Sequence, residues 1–108
     1  MSPATNLVVL ISGFGSNLQA ILDAARLRTI PARVCAVVSN KVDAYGLERA
    51  RLAGIPAIDH VYEKGQERTA YDLRLADIVA SHRPDWVVLA GWMRILSSAF
   101  LERFPDRV

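Results

Sequence analysis

Gly13, Gly15, Ser16 and Asn17 stand in the run Ser12-Gly13-Phe14-Gly15-Ser16-Asn17-Leu18, directly after Leu7-Val8-Val9-Leu10-Ile11. The chemistry open to that arrangement is anion binding. The apolar run reads as a strand buried on both faces. After the turn, Leu18, Ile21, Leu22 and Ala25 recur at helical spacing. Strand, glycine turn and helix start bring free N–H groups and the positive end of a helix dipole to one point. Gly13 and Gly15 let backbone amides approach an oxyanion that side chains would screen.

The turn also narrows the anion. A Walker A loop carries Lys-Ser/Thr after its last glycine, where this chain has Ser16-Asn17. The third glycine of the dinucleotide fingerprint is replaced by Leu18, and Ser39-Asn40-Lys41 stands where an acidic residue would meet a ribose. A phosphate monoester on a small molecule therefore fits better than ATP or NAD. The competing reading is a tight turn that holds no ligand.

The elements that position this turn follow in order. Residues 1–6 read as a lead-in without the basic region of a signal peptide. Strand one covers 7–11 and helix one 17–28. Arg33–Val38 is the second strand, and Asp43 is expected to cap a helix that runs to Ala53. Gly54 suits the position after that helix and Pro56 prevents it from resuming. Pro56–His60 is a short third strand and Tyr62–Arg68 a polar loop. Thr69 is expected to cap a helix with Asp72 as its capping-box partner. Tyr71, Leu75, Ile78 and Val79 form its inner stripe, and Pro84 ends it near His82. Trp86–Ala90 is the fourth strand, Gly91–Leu96 a loop, and Ala99–Phe104 a short helix after Ser97 or Ser98.

This alternation predicts an α/β domain: an open parallel sheet with flanking helices, a Rossmann-like half with strand order 3-2-1-4. Ligands in such sheets bind beyond the strand carboxyl ends, where the order reverses. That crevice lies between strands one and four, so loops 12–16 and 91–96 should meet there.

Bulk properties agree. A chain of 108 residues, 52% hydrophobic and 22% charged, supports one globular domain. A net charge of +2 is too weak to argue for nucleic acid or a membrane surface, and neither is expected as a partner. No apolar run approaches the ~20 residues of a membrane span. Cys35 sits in an apolar run and reads as a buried thiol. One cysteine and two separated histidines argue against zinc. His60 and His82 read as surface residues at element ends, and Trp86 and Trp92 as packing groups. The expected setting is a cytoplasmic protein.

Four separated segments carry a family resemblance: Ile11–Ala20, Val38-Ser39-Asn40-Lys41, Gly46-Leu47-Glu48-Arg49-Ala50 and Leu89–Leu96. In this order they resemble the N-terminal half of phosphoribosylglycinamide formyltransferases. Residues 1–108 would then be the phosphate- and folate-binding half of a formyltransferase domain. The resemblance implies formyl transfer from 10-formyltetrahydrofolate, the co-substrate, to the amine of glycinamide ribonucleotide in purine biosynthesis. It implies that Gly15, Ser16 and Asn17 hold the substrate phosphate. It implies that Met93, Arg94, Ile95 and Leu96 wall the folate site, with backbone groups facing the pterin. Arg68 falls where the family meets the folate, and a guanidinium there suits the glutamate tail. Met93 and Ile95 could instead be core, and Arg68 a solvated charge.

Two departures qualify the resemblance. Phe14 replaces the small polar residue usual between the glycines. The family's catalytic asparagine, histidine and aspartate have no counterpart among these residues, so no catalytic residue is assigned and the chain alone is expected to be inactive. The edge of strand four is expected to be open to self-association. Another formyltetrahydrofolate enzyme, or a non-catalytic nucleotide-binding module, is the alternative.

Overall fold

The two longest apolar runs become the inner strands of one parallel sheet. The computed structural model describes residues 4–108. Its strands are β1 (Thr5–Ile11), β2 (Ala32–Ser39), β3 (Ala57–Asp59) and β4 (Trp86–Leu89). Its helices are α1 (Ser16–Arg26), α2 (Tyr45–Leu52), α3 (Arg68–Ala80) and α4 (Ser98–Leu101). The sheet order is β3-β2-β1-β4, all parallel, as the sequence predicts.

Strand alternation divides the core into two layers. Val8, Leu10, Val38 and Val87 pack against Tyr71, Leu75 and Val79 of α3 and against Phe100. Val9, Ile11, Val37 and Ala90 pack against Leu18 and Leu22 of α1 and Leu47 of α2. β1 is covered on both faces, which explains its unbroken apolar run. Val34 and Ala36 are two apart yet belong to opposite layers. The register shift between Leu7 and Val8 skips Cys35, a bulge that reverses the alternation. Cys35 is consequently half-buried, not buried as expected.

β1 begins two residues earlier than predicted, because Thr5 N–H donates to Pro31 O and the strand pairs with β2 from its first residue. Residues 1–3 of the expected lead-in lie outside the described residues. α2 has Ala44, not Asp43, as its N-cap, with no side-chain cap. The Gly46 N–H at that helix start donates instead to Gly13 O, at 3.1 Å. Gly54 has φ +74, and the Gly54 and Ile55 N–H groups donate to Arg51 O and Ala50 O, closing α2 as a Schellman motif.

Glu67, not Thr69, caps α3: its carboxylate accepts from the N–H groups of Thr69 (3.0 Å) and Ala70 (2.8 Å). Those bonds hold its pKa below the ordinary carboxylate value. Asp72, expected in the capping box, is buried and accepts from Ser97 N–H at 2.8 Å, tying α3 to the segment that starts α4. Ile78 is half-buried at the edge of the α3 stripe. Arg83 takes φ +51 ahead of Pro84, the left-handed alternative to the αR conformation that proline disfavours. α4 is shorter than predicted, but Phe104 beyond it is buried.

Candidate functional site

The glycine turn leaves β1 at Ser12 and enters α1 at Ser16. Gly15 is the N-cap of α1, with φ +85 and no side-chain cap. The Phe14, Gly15, Ser16 and Asn17 N–H groups have no partner among the described residues. Gly13, Phe14, Gly15, Ser16 and Asn17 line a cavity of about 190 Å³, and Ala90 and Gly91 close its other side. The three substrate residues named from the sequence therefore share one cavity at the β1/β4 switch point. An amide-lined cavity at the positive end of a helix is suited to an oxyanion.

The turn is gripped from outside by α2. Gly46 N–H donates to Gly13 O, and Arg49 Nε–H donates to Phe14 O at 2.9 Å. Arg49 Nη1 also donates to Gln19 Oε1 at 3.1 Å. The Phe14 and Tyr45 rings stack at 5.2 Å, with the Arg49 guanidinium 4.4 Å and 4.9 Å from their centroids. Sequence reading missed Arg49 and Tyr45. The signal available was Phe14 itself, an exposed aromatic in a turn, with a cation and an aromatic on the next helix.

The second group of named residues forms the loop after β4. Met93 N–H donates to Ser12 Oγ at 2.9 Å, joining the two loops as the topology requires. Arg68 Nη2 donates to Ile95 O at 2.7 Å, so Arg68 is not a free solvated charge. Met93 and Ile95 are 78% and 79% exposed, which excludes the core alternative for their side chains. Leu96 is buried among the α3 layer. The Arg94 guanidinium turns inward, 4.1 Å from the Tyr62 ring centroid and 4.7 Å from that of Tyr71. Trp92 Nε1, Arg94 Nε and Ser97 Oγ are buried without a partner among the described residues, all in this short stretch.

His60 is not the surface residue expected. It stacks on Tyr71 at 4.2 Å, and its Nε2 lies 3.1 Å from Tyr71 O, placing the ring proton on Nε2. Tyr71 O–H donates to His60 O at 2.6 Å. Burial pushes the Tyr71 phenol up to about 12; Arg94 opposes the rise and Asp72 adds to it. Trp86, expected to pack, is half exposed on the sheet edge.

A larger groove of about 790 Å³ lies between α1 and α2, lined by Leu22, Arg26, Arg33, Tyr45 and Leu52. It reaches the amino end of β2 at Ala32–Val34, away from the strand carboxyl ends where such sheets bind ligands. No group of three or more metal-ligating side chains occurs among the described residues, and no described helix is long and apolar enough to cross a membrane.

Fold and site together define an open α/β domain with a glycine turn of unpartnered amides at its switch point. The family model described as formyl transferase matches residues 5–108. The chain belongs to that family. It is 52% identical over 103 residues to the phosphoribosylglycinamide formyltransferase of Escherichia coli K12, covering 95% of this chain and 49% of that protein. It is 50% identical over 105 residues to the Schizosaccharomyces pombe enzyme of that name, covering 89% and 51%. Glycinamide ribonucleotide transformylase 1 from Symbiobacterium toebii superposes with a TM-score of 0.94 at 46% identity, over 99% of this chain and 50% of that one. The chain spans about half the length of the phosphoribosylglycinamide formyltransferases from Escherichia coli, Haemophilus influenzae and Schizosaccharomyces pombe that it matches.

Proposed function

We propose that the chain is the substrate-positioning half of a phosphoribosylglycinamide formyltransferase. In this reading a phosphate monoester, that of glycinamide ribonucleotide, sits in the amide-lined cavity against Gly15, Ser16 and Asn17. One observation carries the reading: a cavity at the start of α1, bordered by amides without partners among the described residues. The relatives' names supply the nature of the substrate.

The loop of Met93, Arg94, Ile95 and Leu96 is proposed as a wall of the 10-formyltetrahydrofolate site. Exposed Met93 and Ile95 offer apolar surface to a flat ring, and the unpartnered Trp92 Nε1 and Arg94 Nε lie alongside. When bound, the folate supplies the formyl group. Arg68 holds Ile95 O with one nitrogen and keeps further donors for a carboxylate tail. These residues bind and orient two reactants, a contribution of the kind that makes a bimolecular step effectively unimolecular.

The asparagine, histidine and aspartate that the resemblance implies for catalysis have no counterpart among the described residues. The 108 residues assayed alone are therefore expected to show no transformylase turnover; near-normal turnover in a steady-state assay would refute this. The decisive binding test is calorimetric titration with glycinamide ribonucleotide, with Gly15→Val as the control. Saturable binding lost in the variant is the expected result, and absence of binding by the folded wild type overturns the reading.

The proposed setting is cytoplasmic. Self-association is proposed at the edge of β4, where Trp86 and Leu89 are 47% and 46% exposed. Part of that edge is filled, because Val87 N–H donates to Arg107 O at 2.7 Å. Sedimentation of the chain at rising concentration, with Leu89→Lys as comparison, tests it.

A further inference from the structure

Two consecutive peptide groups of the glycine turn are held by the same helix. Gly13 O accepts from Gly46 N–H, and Phe14 O accepts from Arg49 Nε–H. A trans peptide is planar, and its C=O and N–H point in opposite directions. Fixing Gly13 O toward α2 therefore turns the Phe14 N–H away from α2. Fixing Phe14 O does the same for the Gly15 N–H. Successive N–H groups turned to one side form an anion-binding concavity.

The two anchors differ in kind. The Gly46 anchor is backbone to backbone, and Gly15 approaches Gly46 so closely that a Cβ on Gly15 would lie 2.7 Å from Gly46 Cα. The Phe14–Gly15 peptide depends on one side chain. Gly15 at φ +85 belongs to the residue type that tolerates either orientation of that peptide. Rotated, the peptide would present a carbonyl oxygen to the cavity, and an acceptor there repels an anion.

We propose that Arg49 is a positioning residue that locks the Phe14–Gly15 peptide with its N–H toward the cavity, and so makes the turn a phosphate receptor. This deepens the phosphate reading and rests on it. Gln19 Oε1 and the Phe14–Tyr45 ring pair hold the guanidinium in place. The lock acts by direction more than by charge, because the Arg49 Nε–H is already engaged with Phe14 O.

The test uses the isotopically labelled 108-residue chain, with ribose 5-phosphate as the phosphomonoester probe. Residual dipolar couplings report the Phe14–Gly15 peptide orientation without ligand, and amide shifts at Gly15, Ser16 and Asn17 report binding. Wild type is expected to hold the inward N–H and to bind saturably. Arg49→Ala is expected to reorient or mobilise the peptide and weaken binding about tenfold. Arg49→Lys keeps the charge without the Nε donor and is expected to lose nearly as much. Lysine binding like wild type, or an unchanged peptide with unchanged affinity in Arg49→Ala, overturns the lock. Should Arg49→Ala fail to fold, Gln19→Leu, which frees the guanidinium, is expected to weaken binding in part; wild-type affinity there overturns the lock as well. If the wild type fails to bind the probe, the phosphate reading falls, and the ligand-free couplings still decide whether Arg49 holds the peptide.

Discussion

Met93 N–H and Ser12 Oγ meet at 2.9 Å across a separation of 81 residues, and Ser12 is only 3% exposed. This bond fixes the loop after β4 against the turn after β1, so one buried hydroxyl sets how the two halves of the candidate site face each other. Ser12→Ala leaves the Met93 N–H without that acceptor. The expected cost is about 0.5–1.5 kcal/mol, the net worth of one hydrogen bond, because water can reach the exposed Met93 once the hydroxyl is gone. Urea unfolding measures it; a midpoint unchanged from wild type would mean that the loops are joined by other contacts.

The strand order was legible because the four apolar runs and the breaks between them allow few parallel topologies. That the turn holding Gly15, Ser16 and Asn17 would face the loop after β4 was legible because a glycine turn between strand and helix is a local pattern and the strand order brings the two loops together. Arg49 was not, because its partner Phe14 lies 35 residues away and an aromatic in the turn is the one local hint of the pair. The sequence around Arg94 does not show which way its guanidinium turns. It turns inward because Tyr62 and Tyr71, from two other elements, supply π-faces for it. The start of α3 was misread because Thr69 is the commoner cap, whereas the longer Glu67 side chain reaches two N–H groups at once.

Tyr71 should be spectroscopically distinct. The chain has three tyrosines, and Tyr71 is the one whose phenol burial pushes up to about 12. Its folded value lies above the unfolded value of 10.0, so the folded state holds a proton that the unfolded chain releases. Stability is therefore expected to fall as pH rises from about 10 toward 12. Tyr71→Phe should flatten that alkaline decline while losing the bond to His60 O. Tyrosinate absorbance followed beside far-UV circular dichroism reads both. A Tyr71 that ionises near the ordinary value of 10.0 in the folded state would contradict the packing.

Glu67 makes the opposite prediction at acid pH. Its folded pKa lies below 4.5 because two helix N–H groups favour the carboxylate. Its contribution is thus complete above the unfolded value and fades as pH falls through the folded one. Glu67→Gln should make the acid limb of the stability profile shallower and fray the first turn of α3. Thermal melts at stepped pH test this, and parallel limbs for variant and wild type would sink it.

The two glycines of the turn should respond differently to alanine, although the sequence treats them alike. Around Gly13 nothing lies within 4 Å of where a Cβ would stand, and its φ is not positive. Gly13→Ala is therefore expected to be neutral, or stabilising by a few tenths of a kcal/mol through the unfolded chain. Gly15 combines φ +85 with a Cβ position 2.7 Å from the Gly46 backbone. Backbone cannot step aside as a side-chain end can, so Gly15→Ala must strain the turn or push α2 away. The left-handed conformation alone costs about 1–2 kcal/mol, and displacement of α2 adds to it. Moving α2 also moves Arg49 off Phe14 O, so the same substitution should remove phosphate binding out of proportion to its effect on stability. Denaturation and ribose 5-phosphate titration of the two variants side by side decide the matter. Equal behaviour of Gly13→Ala and Gly15→Ala would mean that the turn is not braced by α2, and the geometry assigned to the candidate site would fall with it.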